Sequence, residues 1–101
     1  MKDVELLKSL EDAAEKLNVT VRYDDLKKGV VNTAGGSCIL KGDHYVLVHK
    51  HLSDSEKADL LADALSEMEI DSIYLAPEIR QLLERIREKT RQNEENNALS
   101  N

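Results

Sequence analysis

Near the start of the chain apolar residues recur at three- and four-residue spacing: Val4, Leu7, Leu10, Ala14 and Leu17, with Leu6 and Ala13 beside them. That spacing makes one stripe on a helix, so residues 4–17 read as an amphipathic α-helix capped by Asp3 and ended by Asn18. The period then drops to two. In "VTVRY", Val19, Val21 and Tyr23 alternate with Thr20 and Arg22, the pattern of a half-buried strand. A polar, irregular connection, "DDLKKGVVNTAGG", follows, and its Val30-Val31 pair offers a short extra pairing. "SCILKGDHYVLV" then reads as a β-hairpin turning at Gly42-Asp43, because glycine accepts positive φ. The register expected there sets Leu40 against Tyr45, Ile39 against Val46 and Cys38 against Leu47. Cys38, Leu40, Tyr45, Leu47 and His49 then share one face, and Ile39, Val46 and Val48 share the other with Lys41 and His44. Neither face is cleanly polar, so the hairpin needs cover on both sides, from helices or from another subunit.

Ser53-Asp54-Ser55-Glu56 has the form of a capping box, and Ala58, Leu61, Ala62 and Leu65 make a helix of residues 54–68. "IDSIYLAPE" is a short extended link. Pro77 suits the first turn of a third helix, whose stripe is Ile79, Leu82, Leu83 and Ile86. After Arg91 the polar stretch "QNEENNALSN" has no period and reads as a disordered tail over 92–101. The expected fold is one α+β domain over 1–91: an N-terminal helix, a three-stranded, mainly antiparallel sheet containing the hairpin, and two C-terminal helices.

Composition narrows the function classes. Of 101 residues 41% are hydrophobic, yet there is no Phe and no Trp, so the core is aliphatic. A chain this short buries only about 60–65% of its surface, and a partner or second copy would add to a thin margin. The net charge of −6 and the scarcity of aromatics disfavour nucleic acid, which asks for a basic face and stacking platforms. One cysteine permits no internal disulfide, no apolar run approaches the roughly 20 residues that span a bilayer, and the first residues lack a signal peptide's apolar core. The expectation is a cytoplasmic protein without a membrane partner.

The stretch of Asn32 to Ser53 gathers two glycines, the only cysteine and all three histidines. Cys38 and His49 lie diagonally across the expected hairpin, about 7–8 Å apart, beyond a tight catalytic pair. A buried, slow-reacting cysteine packed as a small apolar group explains Cys38 better. His49 and His51 with Cys38 and Asp54 fall short of a zinc set, and solvated histidines at a strand end are the simpler reading. Asp59, Asp63 and Glu67 make an acidic stripe that a solvated helix face accounts for. Gly35-Gly36 matches neither a P-loop nor a dinucleotide fingerprint and reads as a tight lead-in to the hairpin. Arg80, Arg85, Arg87, Lys89 and Arg91, interrupted by Glu78, Glu84 and Glu88, make a locally basic last helix.

The start Gly35-Gly36-Ser37-Cys38, the charged-Gly turn, the following helix and the segment Tyr74-Leu75-Ala76-Pro77-Glu78-Ile79-Arg80 resemble a group of small bacterial proteins of unknown function over residues 4–86. That resemblance implies a fold shape and no activity. The order helix, strand, hairpin, helix is also similar to the core of small zinc peptidases fused to phage-type regulators. Those rest on His-Glu-x-x-His, whereas the matching helix here, "EKADLLADAL", has no histidine, so the peptidase chemistry is missing. The expected function is a non-catalytic protein-interaction module that forms a homo-oligomer or binds a protein partner, with no cofactor and no metal. The alternative is an enzyme or small-ligand site built from Gly35, Gly36, Cys38, His49, Tyr74 and Arg80.

Overall fold

The computed structural model describes residues 2–26 and 35–99. Its elements are α1 (Asp3–Lys16), β1 (Val19–Asp24), β2 (Gly35–Leu40), β3 (Asp43–His49), α2 (Asp54–Ser66) and α3 (Pro77–Leu99). The α+β class stands. The sheet, however, is mixed rather than mainly antiparallel. Its order is β1-β3-β2, with β2 antiparallel and β1 parallel to the central β3. Strand β1 ends and β2 begins at the same end of the sheet, beside the end of β3, so β2 carries the chain back and β3 then runs parallel to β1. The Val30-Val31 pair lies outside the described residues.

The hairpin turns on Lys41-Gly42, not on Gly42-Asp43. Both residues have positive φ, 53° and 85°, as a type I′ turn demands at its two central positions. The register therefore sits two residues from the expected one: Leu40 opposes Asp43, Ile39 opposes His44 and Cys38 opposes Tyr45. A shift of two preserves the pleat, so the face assignment survives while every pair changes. At the other end of β2, Gly35 has φ of 133°, and a Cβ there would lie 2.0 Å from the Leu47 carbonyl oxygen. Only glycine lets the strand close against β3 at that point.

The helices pack on one face of the sheet. Val19, Val46 and Val48 point into them and are buried, together with Leu10, Ala13 and Ala14 of α1, Ala58, Leu61, Ala62 and Leu65 of α2, and Ile79 and Leu83 of α3. Helix α2 is the hub and touches α1, α3, β2 and β3. Each fully buried leucine of α2 contributes about 1.5–3 kcal/mol through removal from water. The capping box forms: Ser53 Oγ accepts from the Glu56 amide and Glu56 Oε1 accepts from the Ser53 amide, both at 3.2 Å. Helix α1 starts without a side-chain cap, with Asp3 in its first turn, and ends at Asn18 in the left-handed region (φ 59°).

Helix α3 runs on to Leu99, so residues 92–99 are helical where the polar composition reads as disorder. No Gly or Pro interrupts the helix after Pro77, and Arg91 pairs with Glu88 one turn back. Residues 88–95 are exposed, which is why they show no apolar period.

Gly35→Ala should cost about 2–3 kcal/mol through left-handed strain and collision with Leu47. Gly36→Ala, whose Cβ would meet nothing within 4 Å, should cost little. Paired thermal melts of the two variants check this: equal Tm values would contradict the close approach at Gly35.

Candidate functional site

The structure separates the sequence's candidates into three places. Gly35, Gly36 and Cys38 lie on the edge strand β2. Cys38 is exposed, which corrects the expectation of a buried packing residue. The reason is topological: its side of the sheet carries no helix among the described residues, and its strand is an edge. A cavity of about 450 Å³ beside it is lined by Ser37, Cys38, Ile39, His44, Glu67 and Met68.

His49 stands at the far end of β3. With Cys38 opposite Tyr45, His49 is four residues beyond that pair, roughly 13 Å along the strand. The diagonal contact with Cys38 is therefore lost. Nor is His49 solvated, as a strand-end histidine was expected to be. Only 4% of it is exposed, its Nδ1 accepts from the Leu26 amide at 3.2 Å, and Asp25 Oδ1 lies 3.8 Å away. His51 stacks edge-on at 5.3 Å. These contacts make His49 a fastener for the chain leaving β1.

Arg80 holds backbone rather than a ligand. Its Nη2 donates to the Ile70 carbonyl at 3.1 Å and the Ile73 carbonyl at 2.5 Å. Arg87, two turns on, does the same for Ser66 at 3.1 Å and Met68 at 2.7 Å. The two guanidiniums clamp the link between α2 and α3 and satisfy carbonyls left open where α2 ends. Arg87 was read only as part of a basic face; its seven-residue spacing from Arg80 was the available signal. Tyr74 is exposed, and Lys16 of α1 reaches both its carbonyl and its ring face.

A polar cluster that the sequence did not mark joins α1, β1 and α2. The Tyr23 hydroxyl donates to Glu11 Oε2 at 2.6 Å, and the Lys57 ammonium sits 5.3 Å from the Tyr23 ring centre. Burial, then the bond and charge of Glu11, push the Tyr23 phenol well above its usual range. Among the described residues no three His, Cys, Asp or Glu side chains converge on a point fit for a metal. None of the described helices is long and apolar enough to cross a membrane. No protein-family profile, curated protein or solved structure matches this chain.

The helix-free side of the sheet is where apolar groups remain in water. Leu40 lies there with Cys38 and the half-buried Tyr45 and Leu47. Ile39, on the helix side of the sheet, is 64% exposed and Leu40 60%. Strand β2 carries no charge, and the run from Gly29 to Leu40 is the longest uncharged run in the chain.

Two measurements follow. Cys38 in the folded protein should react promptly and completely with a thiol reagent, and Cys38→Ser should change stability by less than about 0.5 kcal/mol; a thiol that reacts only after denaturation would contradict its exposure. Tyr23, whose folded-state proton is held more tightly than in the unfolded chain, contributes stability present below about pH 10 and lost as pH rises through the folded value. Denaturant melts between neutral and strongly alkaline pH should show a fall that Tyr23→Phe reduces, and parallel curves would remove the Glu11 contact from the account.

Proposed function

We propose that this chain is a non-catalytic protein-interaction module whose docking element is the edge strand β2. The observation that carries the reading is the pairing of an uncharged edge strand with two large exposed side chains, Ile39 and Leu40. Natural edge strands are guarded by charges, proline or bulges, because an open ladder recruits another strand. Strand β2 carries no charge and no proline, and among the described residues no strand other than β3 pairs with it. A strand that accepts another gains backbone hydrogen bonds, and its alternating side chains give selectivity.

The ligand-site alternative has less support. Its six residues are split: Cys38 lies mid-way along β2, His49 is a buried fastener one residue beyond the Gly35–Val48 pair, and Tyr74 and Arg80 belong to the α2–α3 link and its clamp. Cys38 shares a cavity with His44 and Glu67, but His49, Tyr74 and Arg80 do not line it.

Replacing Ile39 and Leu40 together by Lys tests the reading. Both side chains are mostly in water, so the melting temperature should move by no more than a few degrees. Cross-linked adducts that the tagged wild-type chain forms in cell extract, with itself or with other proteins, should disappear. Adducts unchanged by the double substitution would overturn the proposal.

A further inference from the structure

We infer that the strand added to β2 is the β2 of a second copy, running antiparallel about a two-fold axis at Cys38, an inference that rests on the interaction-module reading. An antiparallel strand pair is self-complementary, since every contact is made twice across the axis. Centred on Cys38, it sets Leu40 opposite Gly36 of the second copy and brings Lys41 to that copy's cavity beside Ser37, Asp63 and Glu67. Both ends of β2 match that arrangement.

At one end, Gly36 leaves its side of the sheet open: a Cβ built there would meet nothing within 4 Å. Its neighbour across the β2–β3 ladder is the half-buried Leu47. Leu40 is on the same side of the sheet and 60% exposed. The second copy's Leu40 fills the gap above Gly36 and covers Leu47, with neither backbone displaced.

Charge makes the second match. Lys41 is exposed and forms no ion pair with any described residue. Gly35, Gly36 and Ser37 share a cavity with Asp63 and Glu67 of α2. Those two carboxylates are exposed and likewise form no ion pair among the described residues. Antiparallel pairing brings Lys41 of each copy to Asp63 and Glu67 of the other. With a net charge of −6 per chain, two copies repel over most of their surfaces; along uncharged β2, flanked by this complementary pair, they do not. An unrelated strand could use the same edge, but would carry a cation at this register only by coincidence.

The paired Cys38 residues provide the test. Directly opposed Cα atoms in an antiparallel pair lie about 4.5–5.5 Å apart, inside the range that a disulfide bridges. Sedimentation of the full chain should show a concentration-dependent monomer–dimer equilibrium. Mild oxidation with diamide should link the dimer through Cys38, and much faster than through a cysteine placed at Ile39 in a Cys38→Ser background, where the thiol is one register step off the axis and on the other face. Lys41→Glu should weaken the dimer at least tenfold, and adding Asp63→Lys with Glu67→Lys should restore it. A folded chain that stays monomeric up to about millimolar concentration, a free-energy scale near −4 kcal/mol, overturns the inference, while the Ile39 and Leu40 double variant still decides the broader reading separately. A dimer that survives Lys41→Glu and gives no Cys38 link places the interface elsewhere and overturns it too. So does protection of the β2 amides that arises only when a different protein is added.

Discussion

Strand β3 is the interaction on which the rest of the molecule depends. Among the described residues it alone has two strand neighbours, and its inward valines, Val46 and Val48, are completely buried under the helices. Helix α2, which follows it directly, lies against β3 and also holds α1 and α3. One central strand and one central helix, each carrying a fully buried aliphatic row, thus organise a chain with no Phe or Trp to fill space. In so small a domain, a layer of helices on one face leaves too little chain to cover the other.

That asymmetry leads from fold to function. The hairpin is apolar on both faces, but only one face meets helices among the described residues. Its outer strand therefore ends with Leu40 in water and Cys38 exposed beside it. The polar groups that looked chemical are spent on holding the frame. His49 secures the Leu26 amide, while Arg80 and Arg87 bind the carbonyls of the α2–α3 link. The buried His49 and the partly exposed Arg80 and Arg87 find their partners in backbone, and among the described residues the outer edge of β2 has no second strand beside it.

Much of this was legible in the residues. Among the described residues, periodicity signalled the helices and strands that form, though not all of their bounds, the capping box at Ser53 formed as its spacing indicates, and the face assignment of the hairpin held. These features arise from interactions within a few residues, for which sequence order and spatial order coincide. The turn was missed by one position because a Lys in the left-handed region is uncommon, and only the partner strand shows that Lys41 adopts it. The end of α3 was missed because an exposed helix needs no apolar stripe.

What the sequence determined by itself was therefore local: the kind and order of the elements, which hairpin residues share a side, and an aliphatic, acidic, single-cysteine chain. Tertiary structure alone decided that β3 stands between β1 and β2, that β1 runs parallel to it, and that Cys38 faces water while His49 does not. The physical reason is that strand pairing is non-local. Backbone groups are the same in every strand, so partner and direction follow from which arrangement buries the aliphatic rows of α1, α2 and β3 together, and no short window of sequence contains that sum.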